Sequence, residues 1–189
     1  MNIVQSIAIV VPWLAWLAYW IATSNAVKAT ARKEASRSRT LQSIPLIVGG
    51  VLIVVPDPVL SAFVPDPSRF GLQQGAGLAI LIAGLLFSVW GRLHLGTNWS
   101  VSVTLKDGHE LVRSGPYALV RHPIYTGCLA ALAGAALIGG EWRGALGVVL
   151  VFASLAYKVR VEESWLTGHF GAAYTQYRRD VAALIPGFY

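Results

Sequence analysis

Charge is scarce in this chain. Lys, Arg, Asp and Glu make up 13% of its 189 residues against a 55% hydrophobic share, and the mean hydropathy is +0.58. A soluble domain carries about 25% charged residues, so the solvent for this chain is lipid. Cysteine is nearly absent too. The single Cys128 lies in an apolar run, which excludes an internal disulfide and any cysteine-based metal site. His94 and His169 are isolated, show no metal-ligand spacing and read as interfacial residues, so no metal is expected. A Gly-rich phosphate loop is missing as well: "GLQQGAG" (Gly71–Gly77) has no preceding strand to turn its glycines into a nucleotide cradle.

What is present is a series of uncharged runs: Asn2–Val27, Thr40–Pro56, Phe70–Gly91, Pro123–Gly140 and Gly144–Tyr157. A spanning helix needs about 20 apolar residues, with roughly 17 as the lower limit. The first three runs qualify, the second if it continues past Asp57. The last two flank the compact turn Gly139–Gly144 and read as a tight helical hairpin. A cleaved signal peptide would need a basic start that "MNIVQSIAIVV" lacks, and it would leave four further runs unexplained. The expectation is a single all-α membrane domain, residues 1–189, with five transmembrane helices.

The net charge of +6 is unevenly placed. Lys28, Arg32, Lys33, Arg37 and Arg39 follow the first run. Asp57 and Asp66, with only Arg69 to oppose them, follow the second. Arg92, Lys106, Arg113 and Arg121 precede the fourth run, and Lys158, Arg160, Arg178 and Arg179 follow the fifth. The positive-inside rule puts these cation-rich segments in the cytoplasm. The N-terminus then lies outside and the C-terminus inside, in a multi-pass protein of an inner (cytoplasmic) membrane. Such cations meet anionic lipid, and no nucleic-acid partner is implied.

Two polar clusters edge the apolar runs. In "LVRSGPYALVRHPIYTG" (Leu111–Gly127), Pro123 suits a first helical position, where its missing N–H costs nothing. His122 then caps the helix, and Tyr125 falls on the same side. The unpaired amides of that end would favour an anionic group. The turn "SGPY" would fold His109–Val112 and Tyr117 back toward it. The second cluster, "KVRVEESWLTGHFGAAYTQYRRD", places Lys158 one turn from Glu162, and Arg160 at i,i+3 from Glu163. One reading is an interfacial belt of snorkelling cations and aromatics. The other is a ligand site built from two helix ends.

The segments "HELVRSGPYALVRHPIYTG" and "EESWLTGHFGAAYTQYRRDVAALIP" together resemble the isoprenylcysteine carboxyl methyltransferase family. The resemblance runs from His109 to Pro186, whereas the N-terminal spans match only in kind. It implies a cytoplasmic-face site for S-adenosyl-L-methionine in residues 96–189, built on the hairpin 123–160 and a C-terminal interfacial helix, with residues 1–95 as three N-terminal spans. Carried over by motif, the cofactor contacts fall on His109, Glu110, Leu111, Val112, Tyr117, His122, Pro123, Ile124, Tyr125 and Glu162. The catalytic group falls on Lys158, Arg160 and Glu162. Lys158 stands where the family has an arginine. It keeps the charge but loses the planar fork, so either Lys158 serves less rigidly or Arg160 takes the role over.

The implied activity is methyl transfer to a lipophilic or prenylated acceptor entering from the bilayer. Two other functions fit parts of the sequence: a nicotinamide-dependent sterol-type reductase, through R-H-P-x-Y, and a non-enzymatic membrane protein. Trp13, Trp16 and Trp20 are expected to pack or face lipid, and Trp99, Trp142 and Trp165 to sit at span ends. Tyr174 and Tyr177 are expected to lock the C-terminal helix, while Asn98 and Ser100 are weaker lining candidates. The topology is testable by single-cysteine labelling in a background lacking Cys128. A cysteine at Asp66 should react with an impermeant reagent from outside, and one at Ser36 only from the cytoplasm. Equal cytoplasmic access of both would refute the orientation.

Overall fold

The computed structural model describes residues 3–23, 30–33, 36–55, 71–96, 104–106 and 111–188. Six helices carry these residues: α1 (Ile3–Ala22), α2 (Ser36–Val54), α3 (Leu72–Leu95), α4 (Pro123–Gly139), α5 (Trp142–Phe170) and α6 (Ala172–Asp180). The all-α expectation holds apart from one ribbon, in which β1 (Thr30–Lys33) pairs antiparallel with β2 (Thr104–Lys106). Strands this short show no alternating pattern, and the sequence reading leaves both segments as loops. His109, Glu110, Asn98, Trp99 and Ser100 lie outside the described residues.

Among the described residues, α1, α3 and α5 are long and apolar enough to cross a membrane. At 1.5 Å per residue, the 24 residues of α3 span about 36 Å, enough for a hydrocarbon layer of about 30 Å. The apolar helices Ser43–Val54 and Pro123–Gly139 are shorter, and the expected continuation of the second run past Asp57 lies outside the described residues. The molecule is thus a multi-pass membrane protein with five apolar helices among the described residues, three of them of full spanning length. The fifth run, expected as a short span, is the first part of a helix of 29 residues. Starting from Trp142, that helix covers about 30 Å by residue 161. Its last turns therefore emerge where Glu162 and Glu163 stand.

Residue size at the helix contacts sets the packing. Lipid is as apolar as a leucine surface, so helices associate where small residues let backbones meet. Gly77, Gly84 and Gly91 of α3 recur every seven residues on one face and oppose Gly134, Gly127 and Pro123 of α4. A Cβ at Gly84 would stand 2.5 Å from the Gly127 carbonyl oxygen, and one at Gly134 would stand 2.5 Å from that of Gly77. Gly49 of α2 meets Gly147 of α5 in the same way, with 2.6 Å between the added Cβ and the opposing oxygen. The buried centre is Ile9, Ile53, Leu81, Leu85, Ala131, Ala135 and Ile138, against which Trp13 and Trp16 pack. Around it Ile7, Val11, Leu14, Leu86 and Val149 point outward, as lipid-facing residues must.

Helix ends gather at one end of this bundle. Arg92 sends Nη1 to Gly96 O (2.8 Å) and Nη2 to Thr23 O (3.0 Å), so one guanidinium serves carbonyls at the C-terminal ends of α3 and α1. The contact of Gly91 with Pro123 brings the start of α4 to the same end. The αL turn at Gly140 (φ 68°) closes the expected hairpin and returns α5 there as well. Gly127→Ala should force the α3–α4 backbones apart and cost about 1–3 kcal/mol. Gly50→Ala, with nothing within 4 Å of the added carbon, should stay within about 1 kcal/mol. Thermal melting of the purified protein in detergent, followed by tryptophan fluorescence, distinguishes the two.

Candidate functional site

The site is built where α4 begins and α5 leaves the apolar layer. Pro123 is the first residue of α4 and His122 its N-cap, as expected. The ring of His122 stacks on that of Tyr125 one turn along, with centroids 5.6 Å apart and planes 8° apart. From α5, Glu162 accepts a 2.9 Å hydrogen bond from Tyr125 Oη on its Oε2, and the same oxygen lies 3.9 Å from His122 Nδ1. Lys158 Nζ sits 5.0 Å from the centre of the Tyr125 ring, a cation–π distance. His122, Tyr125, Lys158 and Glu162 are therefore brought together. Arg160 is exposed on α5, away from this group. Leu111, Val112 and Ile124 are half-buried and Pro123 is buried.

Glu163 departs from the expected pairing with Arg160. The inward face of α5 runs Gly147, Val151, Leu155, Val159, and one more step of four reaches 163. Glu163 is accordingly 5% exposed, and its partners come from other elements. Arg121 Nε donates to Oε1 at 2.6 Å, His122 Nε2 lies 3.3 Å from the same oxygen, and Arg178 Nε is 3.2 Å from Oε2. A carboxylate can only accept, so His122 carries a proton on Nε2. Arg121 and Arg178 were not among the expected site residues. The seam at steps of four along α5 was the available signal for Glu163, whereas nothing local marks Arg121 or Arg178 as its partners.

The start of α4 differs from expectation in a second respect. Amides just before the helix are already used: Arg121 N–H donates to Ala182 O (2.9 Å) and His122 N–H to Ala183 O (3.1 Å). Thr126 Oγ1 donates to Leu184 O at 2.7 Å. The chain's own C-terminal segment thus runs alongside the N-cap of α4 and pairs the two amides that precede the helix. Buried backbone donors need partners, and for Arg121 and His122 the segment after α6 supplies the carbonyls.

The turn Gly115–Ala118 buries Tyr117 and points its hydroxyl to Gly91 O, 3.4 Å away on α3. Tyr117 therefore closes the junction between α3 and α4. Tyr177 of α6 donates to Tyr117 O at 2.5 Å, Arg113 lies 5.3 Å over the Tyr177 ring, and Tyr174 is fully buried. These contacts are the expected lock on the C-terminal helix. Deeper in the bundle, Trp16 Nε1 donates to Ser88 Oγ at 2.7 Å, so Trp16 has a polar partner besides its packing role. Trp142 is 66% exposed, Trp165 is half-buried and His169 is exposed. His94 stands edge-on to Trp90, with centroids 5.9 Å apart.

This is the architecture of a polytopic helical membrane protein with an ionised site at the mouth of its bundle. Residues 77–167 match the sequence model of the isoprenylcysteine carboxyl methyltransferase (ICMT) family. The chain is 32% identical over 120 residues to the protein-S-isoprenylcysteine O-methyltransferase of Schizosaccharomyces pombe, covering 62% of this chain and 51% of that protein. It is 26% identical over 127 residues to protein-S-isoprenylcysteine O-methyltransferase B of Arabidopsis thaliana, covering 66% and 64%. The fold is similar to the solved structure of the eukaryotic intramembrane Ras methyltransferase ICMT, with a TM-score of 0.59 and 25% identity over 82% of this chain and 54% of that one. The chain thus spans between half and two thirds of the length of these relatives.

Burial pushes the Tyr177 hydroxyl up to about 12, with Arg121 and Arg113 opposing the rise. Its bond to Tyr117 needs the neutral phenol. A folded-state value above the ordinary 10 means the contribution is complete below about pH 10 and is lost as pH rises toward 12. Tyr177→Phe should therefore lower stability by about 1 kcal/mol at neutral pH. In parallel denaturation curves, the gap from the unmodified protein should close between pH 10 and 12.

Proposed function

We propose that this chain is an integral-membrane methyltransferase that uses S-adenosyl-L-methionine and acts on a lipophilic acceptor of the isoprenylcysteine carboxylate type. The observation that carries this reading is the meeting of His122, Tyr125, Lys158 and Glu162 at the mouth of the bundle, inside the segment that matches the family. The names of the similar proteins supply the reaction class. We further propose five spans, with this mouth on the cytoplasmic side.

The residues present suit such a cofactor. Glu162 keeps lone pairs beyond the one that takes the Tyr125 hydroxyl, so its carboxylate can hold an ammonium. Tyr125 fixes where that carboxylate points. The His122–Tyr125 stack offers flat aromatic surface for an adenine ring or a sulfonium. Tyr117 stands at the α3–α4 junction, and Leu111 and Val112 with Ile124 would complete the cradle. When bound, S-adenosyl-L-methionine supplies a methyl group activated by its sulfonium charge.

Lys158, and not the exposed Arg160, takes the acceptor side in this reading, because its ammonium already lies over Tyr125 and can pair with an acceptor carboxylate. A carboxylate acceptor needs no general base, which agrees with a cluster in which Glu163 is already paired with Arg121 and Arg178. Alignment of two partners and exclusion of water then supply the rate. Burial between helix ends provides both.

Equilibrium binding of labelled S-adenosyl-L-methionine and of NADPH to the purified protein tests the cofactor. Binding of the first and not the second is expected, and the reverse result would establish the reductase reading. Glu162→Gln should weaken S-adenosyl-L-methionine binding by about 1.5–3 kcal/mol, the scale of a charge-assisted hydrogen bond. Tyr125→Trp should abolish binding by overfilling the wall, while Trp142→Tyr at the opposite end should leave it unchanged. Retained binding in Tyr125→Trp, at normal thermal stability, would make this stretch an interfacial anchor.

A further inference from the structure

Adjacent glutamates on a helix point about 100° apart, so Glu162 and Glu163 cannot serve the same partner in the same way. Their surroundings differ accordingly. The Glu162 side chain is 29% exposed and that of Glu163 7%. Glu162 faces the aromatic wall through Tyr125. Both oxygens of Glu163 are engaged by donors of the chain itself, Arg121 and His122 on one and Arg178 on the other.

Arg121 does more than neutralise that carboxylate. Its Nη1 also donates to Arg178 O at 3.0 Å and to Val181 O. The backbone of Arg121 and His122 then bonds Ala182 and Ala183, and Thr126 bonds Leu184. A continuous strap from Arg178 to Leu184 is therefore laid along the first turn of α4. Its attachment to α5 runs through Glu163.

We infer that Glu163 is a positioning residue: it clamps the strap 178–184 against the start of α4 and thereby fixes the His122–Tyr125 wall, leaving Glu162 for the ligand. The consequence for binding rests on the proposed cofactor, whereas the clamp itself rests on the contacts above. A planar guanidinium between a carboxylate and two carbonyls has its donors oriented by the carboxylate. Without the charge, the fork is held in that plane only by weaker neutral acceptors. The strap then loses its anchor to α5 and keeps the backbone bonds to residues 121 and 122 and the Thr126 bond.

The test uses the full chain in lipid nanodiscs and two readouts: hydrogen–deuterium exchange of the amides at 121–122, and the Kd for S-adenosyl-L-methionine. In Glu163→Gln, both exchange and Kd should rise about tenfold, which corresponds to ~1.4 kcal/mol. Glu163→Asp keeps the charge and should restore both to within about threefold. Glu162→Gln should raise the Kd with exchange unchanged. If Glu163→Gln does not fold, Arg178→Gln removes only the half-exposed arm of the clamp and should shift both readouts in the same direction, by less.

A weakened Kd in Glu163→Gln with unchanged exchange would overturn the inference, because Glu163 would then touch the ligand directly. Faster exchange with an unchanged Kd would overturn it too, since the strap would not position the wall. An unmodified protein that binds no S-adenosyl-L-methionine, while Glu163→Gln still frees the strap, would refute the proposed cofactor and leave the clamp standing.

Discussion

Glu163 sits buried where the last long helix leaves the apolar layer, and a carboxylate in that position must be paired or it will not stay ionised. Desolvating one costs several kcal/mol, and the attraction of a partner offsets this only when geometry is good and the remaining lone pairs are filled. Arg121 and His122 come from the start of α4, and Arg178 from α6. The requirement to satisfy one acid therefore draws three separate elements to one point. The pair contributes little net stability by this argument. Its value is specificity, because only one arrangement of α4, α5 and the C-terminal segment leaves no buried charge alone.

That arrangement depends in turn on how closely helices can approach. Arg121 reaches Glu163 from the start of α4, and α4 takes its place from the glycine seam with α3. Small residues there let the two backbones touch, so Pro123 comes to rest beside Gly91. Tyr117 can then reach across to Gly91 O, and its own carbonyl receives the Tyr177 hydroxyl. Packing in the apolar layer and ion pairing at its edge are thus one construction. A bulkier α3–α4 seam would displace the mouth of the bundle before it disturbed the core.

The polar mouth has a graded character. Deep in the bundle the polar contact is a neutral one, the Trp16–Ser88 bond. Lys158 over Tyr125 and Glu162 bonded to Tyr125 lie nearer the surface, and the fully paired Glu163 is held between helix ends.

Much of this was legible in the amino-acid sequence. The apolar runs follow from the length a bilayer demands, and His122–Pro123–Tyr125 follows from what a proline allows at a helix start and from a turn of 3.6 residues. The hairpin turn at Gly140 and the locking role of Tyr174 and Tyr177 were also legible, because they depend on local chemistry or motif. Other features depended on contacts between distant segments. The sequence paired Glu163 with Arg160, its neighbour on the helix, whereas the inward phase of α5 hands it to Arg121 and Arg178. It gave no sign that residues 181–184 run beside the start of α4 and pair with Arg121, His122 and Thr126. It held Lys158 and Arg160 equal, whereas one lies over Tyr125 and the other points outward. Local periodicity and capping are written within a few residues and can be read there. Which charge meets which, and which carbonyl fills which amide, is decided only when elements some forty to sixty residues apart pack.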